Sequence, residues 1–194
     1  GGDGALTLPA PLEISGAGDV LVAGTGALSL PALTLSGAGS VLVAGSGNLD
    51  LPIVEIIGSG GNAAITGTGN LNLALTPTGT GTLAIGGGAK VLAGTVNLAG
   101  NGDVAGVVGG IAQLTVSGAG SELRAAGPTA FIGVGRGGTG TLTVENGGQV
   151  AATAMSIGRN GGQGMLSVNN ATIELSGQQT GGNQTGANLA IGLG

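Results

Sequence analysis

Short apolar triplets, separated by glycine-rich segments, run along the first part of the chain. In the first triplet of each repeat a polar residue lies between two leucines, as in Leu6-Thr7-Leu8 and Leu71-Asn72-Leu73. Successive side chains of a β-strand point to opposite faces, so this alternation predicts a strand with both leucines inward and the middle residue outward. We therefore expect Leu30, Leu51 and Leu73 to form one inward stack, the core stack.

The triplets recur at a nearly constant period. Four similar segments begin at Gly4, Gly26, Gly47 and Gly69, a spacing of about 22 residues that is typical of solenoids. The sequence therefore predicts an all-β fold, a parallel β-helix (β-solenoid) with about three short strands per ~22-residue coil. At about 4.8 Å per coil, 194 residues would form roughly nine coils and a rod on the order of 40 Å long. A globular β-sandwich is the alternative, and the constant period argues against it.

The second and third triplets of a repeat differ in their middle residue. The second keeps a polar one, as in Leu12-Glu13-Ile14, whereas the third has an apolar one. A contiguous apolar strip on an exposed face commonly marks an interface. We therefore predict a lateral interface formed by Leu21, Leu42, Ala64 and Ala84. This interface either contacts another subunit or is covered by another part of the chain.

The repeat style changes along the chain within what we expect to be one continuous domain. Residues 1–90 carry the regular repeats, residues 91–113 continue them irregularly, and a second style occupies residues 114–194. From "LTVSGAGSEL" (114–123) through "FIGVGRGGTGTLTVENGGQV" (131–150) to "SIGRNGGQGMLSVNN" (156–170), this part resembles the glycine-rich β-helical repeats of bacterial autotransporter passengers and related surface adhesins. The resemblance implies an extracellular or cell-surface location.

The residues that the chain lacks restrict its chemistry. There is no His or Cys, one Phe, four Lys and Arg residues in total, and a net charge of −5. Imidazole and thiol groups are therefore missing, there is a single lysine, and the carboxylates form no cluster in the sequence, so we expect no enzyme, no cofactor and no metal site. Four cations form no basic patch for nucleic acid. No apolar run approaches the roughly 20 residues that span a bilayer, so we expect no membrane insertion.

Three short motifs match signatures of dinucleotide binding, calcium binding or glycoside hydrolysis, but their sequence contexts do not favour these functions. Residues 133–138 match the G-x-G-x-x-G fingerprint of dinucleotide-binding folds, but no helical period follows, which favours a corner turn. Aspartates in glycine-rich turns, such as Asp103, do not recur at one register as calcium-binding repeats require. Glu13 and Glu55 share a face but lie two coils apart, which makes a glycosidase carboxylate pair improbable.

A regular Thr-x-Thr column, which an ice-binding face requires, is also incomplete. Threonines alternate in residues 78–82 and 139–143, but the middle positions of the aligned first triplets are Thr7, Ser29, Asp50 and Asn72. An ice-binding protein is therefore a weaker alternative.

We expect a non-catalytic extracellular structural protein, a β-solenoid stalk or adhesin segment of a bacterial surface protein. The alternative is a subunit of a self-assembling extracellular filament that stacks end to end, and a phage tail-fibre shaft is a weaker one. Neither end of the sequence shows a charged, helical or proline-rich cap, and an open coil presents unpaired backbone groups. We therefore expect continuation: the chain belongs to a longer solenoid, or its last coil receives the first coil of the next subunit. No surface or glycan target is indicated.

Overall fold

The chain winds into a three-sided parallel β-helix, as the periodicity predicts. In the part of the chain that the computed structural model describes, 22 strands form three parallel sheets, and successive strands enter the first, second and third sheet in turn. The structure describes the backbone of residues 6–7, 12–16, 20–24, 28–29, 33–37, 41–45, 49–50, 53–58, 63–67, 70–73, 79–100, 109–126, 130–177 and 189–193. It describes side chains for residues 71, 73, 79–100, 109–126, 130–177 and 189–192.

The first sheet contains eight strands and the other two contain seven each. The first sheet consists of β1 Leu6–Thr7, β4 Leu28–Ser29, β7 Leu49–Asp50, β10 Asn70–Leu73, β13 Thr95–Leu98, β16 Phe131–Arg136, β19 Ala154–Arg159 and β22 Leu189–Leu193. The second consists of β2 Leu12–Gly16, β5 Leu33–Gly37, β8 Ile53–Gly58, β11 Thr80–Gly86, β14 Ile111–Ser117, β17 Thr139–Glu145 and β20 Gln163–Asn169. The third consists of β3 Val20–Gly24, β6 Val41–Gly45, β9 Ala63–Gly67, β12 Lys90–Ala93, β15 Glu122–Ala125, β18 Gln149–Ala152 and β21 Thr172–Leu175.

The described strands complete seven coils and begin an eighth, fewer than the nine expected. The first coils keep the constant period: Leu6, Leu28 and Leu49 pair in turn. The segment from Val96 to its partner Ile132 is much longer, and so is the one from Met155 to its partner Leu189, whereas the one from Ile132 to Met155 is close to the early period. Because two of the later coils are this long, dividing the chain length by the early period overestimates the number of coils.

Interior side chains form columns in which each coil packs on the next. In the second sheet Leu83, Leu114 and Leu142 lie in register and are fully buried. In the first sheet Leu73 is fully buried and lies opposite Leu98. The other two members of the predicted core stack, Leu30 and Leu51, lie outside the described residues, so the stack as a whole stays a prediction.

A serine ties neighbouring coils together at the corner between the second and third sheets. The Ser121 hydroxyl donates to the carbonyl oxygen of Ser117 at 2.8 Å and accepts from the backbone N–H of Gly88, one coil away, at 3.1 Å. Ser121 is fully buried, so these bonds satisfy a polar group that would be costly to bury alone. The next coil turns the same corner at Asn146 and Gly147, both with positive φ, which Gly and Asn tolerate best.

Helices contribute nothing to the described architecture. Across these residues no helix is long and apolar enough to cross a membrane.

Replacing Leu142 by alanine tests the interior columns. We expect the free energy of unfolding to fall by about 2–5 kcal/mol, because the substitution opens a cavity between two coils. The matched control is Thr143→Ala, at the adjacent, half-exposed position. It should change the free energy of unfolding by less than about 0.5 kcal/mol. Chemical denaturation measures both, and equal losses would contradict the assignment of inward and outward positions.

Candidate functional site

Three of the four residues of the predicted lateral interface share one register position in the third sheet. Leu21 pairs with Leu42, and Leu42 pairs with Ala64, so these three positions form one column along the first three coils. In the next coils the same column continues through Lys90 and Glu122. The apolar part of the column is therefore confined to the start of the solenoid.

Ala84 does not belong to this column, and its inclusion was wrong. It lies on β11 in the second sheet, between Glu55 of the preceding coil and Thr115 of the following one. The fourth coil is longer than the first three, so its third-sheet strand begins only at Lys90. A constant period therefore matched residues 83–85 to the wrong side of the coil.

A small charged ladder replaces the apolar column where the third sheet continues. Lys90 Nζ lies 3.7 Å from Glu122 Oε2, across neighbouring coils, and Arg124 Nη1 lies 3.7 Å from Glu122 Oε1 within one strand. The two cationic side chains are mostly exposed, so each pair is worth at most about 1 kcal/mol in stability. These charged side chains make this part of the outer face of the third sheet hydrophilic.

The outer face of the second sheet carries threonines without forming an uninterrupted threonine array. One outward column contains Thr82, Gln113, Thr141 and Met165 in order along four coils. A second contains Ala84, Thr115, Thr143 and Ser167. Glu13, Thr34 and Glu55 precede the second column in the same register, so the two glutamates are two coils apart, as expected.

A buried arginine on the first sheet is the one unusual side-chain arrangement that we find among the described residues. The Arg136 guanidinium carbon lies 4.7 Å from the centre of the Phe131 ring, and Arg136 is only 2% exposed. A Cβ on Gly133 would overlap the methylene groups of Arg136, so the arginine side chain folds back over this glycine. We call Phe131, Gly133 and Arg136 the Arg136 cluster.

The Arg136 cluster lies on the outward side of a strand whose inward positions are filled by the core. Ile132 and Val134 belong to the core cluster, and Gly133 lies between them. Its neighbours in register are Asn97 on the preceding coil and Ser156 on the following one, and both are buried. The first sheet is therefore packed on both faces here. A cation–π contact of this kind contributes roughly 0.5–2 kcal/mol to stability.

The sequence pattern pointed to a turn at this place but not to the cluster. Residues 133–136 of the G-x-G-x-x-G stretch belong to β16, residues 137–138 form a bend, and β17 begins directly afterwards, so the corner lies at the end of the stretch and a strand, not a helix, follows it. The signal available in the sequence was the pairing of the one Phe with an Arg five residues later. A strict alternation would place these two residues on opposite faces, and the positive φ of 70° at Gly135 breaks that alternation.

No metal-binding cluster is found in the ranges that the structure describes: no three His, Cys, Asp or Glu side chains come together there. Asp103, considered above for a calcium turn, lies outside those ranges. The chain matches no protein-family model, no curated protein and no solved structure.

The corner at the Arg136 cluster can be tested with two glycine substitutions that differ in one respect. Gly135 and Gly161 have similar positive φ values, 70° and 74°. A Cβ on Gly135 would overlap the backbone carbonyl of Gln163 on the next coil, whereas a Cβ on Gly161 would meet nothing within 4 Å.

We expect Gly161→Ala to lower the free energy of unfolding by about 1–2 kcal/mol, the strain of a left-handed alanine. Gly135→Ala should cost at least about 2 kcal/mol more, because two coils must separate to admit the methyl group. Thermal and urea denaturation of both variants would measure the difference. Equal destabilisation would show that the coils do not approach closely at this corner.

Proposed function

We propose that the protein is a non-catalytic structural protein, a β-solenoid stalk or spacer segment of an extracellular bacterial surface protein. The observation that carries this proposal is the continuity of the interior columns. Leu83, Leu114, Leu142 and Leu166 follow one another in register through four coils. A stack of this kind resists bending and has a length determined by its number of coils.

The side surfaces of the described coils suit a solvated rod. Outward positions include small polar residues, such as Thr115, Thr143 and Ser167, and the charged ladder at Glu122, while Ile111 and Met165 are exposed apolar exceptions. Extracellular location is supported by the resemblance of residues 114–194 to autotransporter and adhesin repeats. The column at Leu21, Leu42 and Ala64 remains our proposed lateral contact, limited to the first three coils.

The spacer function predicts a fixed distance along the rod. Cysteines introduced at Glu13 and Ser167 would lie in one column, six coils apart. At about 4.8 Å per coil their backbones should be roughly 29 Å apart. Because the chain contains no native cysteine, spin labels attach only at these two sites, and pulsed electron paramagnetic resonance measures their separation.

A second labelled pair, at Glu55 and Ser167, spans four coils of the same column and serves as the control. We expect both distance distributions to be narrow and their means to differ by roughly 10 Å, the height of two coils. Broad distributions, or equal means for the two pairs, would refute a stiff spacer. The distances should not change when salt is added, because the interior columns are apolar.

A further inference from the structure

One corner within the solenoid is formed by an asparagine followed by a glycine, a pair that is prone to deamidation. Asn146 and Gly147 connect β17 to β18, and their φ values are positive, 54° and 87°. In an open chain the Gly147 nitrogen attacks Cγ of the Asn146 side chain, ammonia leaves, and water opens the cyclic imide to aspartate or isoaspartate. Glycine favours this ring closure because it has no side chain to obstruct the attack.

The fold holds the two reacting groups toward opposite neighbours. The side-chain amide nitrogen of Asn146 donates to the hydroxyl of Ser117, on the preceding coil, at 3.2 Å. The backbone N–H of Gly147 donates to the carbonyl oxygen of Asn170, on the following coil, at 2.6 Å. The electrophilic Cγ is therefore held toward one coil and the attacking nitrogen toward the other.

Neighbouring coils also fix the backbone of this corner. The N–H of Asn146 donates to the carbonyl oxygen of Asn169 on the following coil at 3.1 Å. Gly148 is buried, and a Cβ on it would overlap the carbonyl oxygen of Val116 on the preceding coil. Ring closure requires the peptide group after Asn146 to rotate, and this rotation breaks its hydrogen bond to the following coil. The reaction is therefore blocked while the coils are stacked.

We propose that Asn146 is a latent modification site, which deamidates only when neighbouring coils separate at this corner. Local opening of a folded protein exposes its groups for a fraction of the time, and reaction of a protected group proceeds in proportion to that fraction. Deamidation at Asn146 thus records how often the coils separate. This inference goes beyond the spacer function, which concerns the length of the rod and not its chemical ageing.

A tryptic peptide isolates this site and permits a direct assay. Trypsin cleaves after Arg136 and Arg159, and residues 137–159 contain Asn146 as their single asparagine. A gain in mass of this peptide therefore reports deamidation of Asn146, and the Asn146→Asp chain supplies the reference peptide. The whole chain is incubated at mildly alkaline pH in native buffer or in concentrated guanidinium chloride, then unfolded, digested and measured by mass spectrometry. We expect deamidation in native buffer to be at least about tenfold slower.

Two substitutions test whether contact between coils provides the protection. Leu142→Ala opens a cavity between coils on the strand that leads to this corner, so it should raise the native-buffer rate at least about tenfold. Thr143→Ala, at the adjacent outward position, is the matched control and should leave the rate unchanged. Circular dichroism verifies that both variants are folded. Guanidinium chloride below the unfolding transition should accelerate the reaction of the parent chain as well, which provides the same test without a substitution.

Three results would overturn the proposal. Equal rates in native buffer and in concentrated guanidinium chloride would show that the fold gives Asn146 no protection. Equal rates for the two folded variants, or a parent rate that does not respond to low guanidinium chloride, would show that protection does not depend on contact between coils. A stiff rod with an unprotected Asn146 would satisfy the proposed function while overturning this site, so the two failures are distinguishable.

Discussion

A single coil of this chain has no interior of its own, and that constraint shapes the rest of the molecule. Its three strands turn leucine, isoleucine and valine side chains toward a narrow centre, where they are covered only by the coils above and below. Leu114 is fully buried because Leu83 and Leu142 lie on either side of it in register. Stability is therefore a sum of contacts between neighbouring coils, and it falls at a coil with only one neighbour.

The same constraint explains why the coils vary in length but not in register. The number of residues between paired positions differs from coil to coil, yet the long segment from Val96 to Ile132 and the shorter one from Ile132 to Met155 both bring paired residues into one column. Where coils approach most closely, a side chain has no room. Gly135 lies against the backbone of Gln163, and the absent side chain of Gly133 leaves the space that Arg136 fills.

The pattern of the sequence predicted the architecture because alternation and period are local signals. Leu71 and Leu73 are buried as the leucine-polar-leucine triplet predicts, and the strands cycle through three sheets. Ala84 was assigned to the wrong sheet because the composition of a triplet such as 83–85 does not determine which side of the coil it occupies. That side is set by the number of residues from the preceding strands, and this number changes in the fourth coil. The Arg136 cluster was missed because a positive φ at Gly135 reverses the expected faces, which depends on backbone packing between coils.

Removing one whole coil tests the nearest-neighbour stack most directly. Deleting residues 28–48 takes out the segment from Leu28 up to its partner Leu49, so that Leu6 meets Leu49 in the same column. We predict that this variant keeps a cooperative thermal transition and the circular dichroism of a β protein. Deleting residues 28–37, about half a coil, should lower the melting temperature and the β signal further, because the strands of the first coil then meet the wrong sheets, while the later coils keep their contacts with one another. If the whole-coil deletion destabilises the chain as much as the half-coil deletion, coils are not the units of this structure.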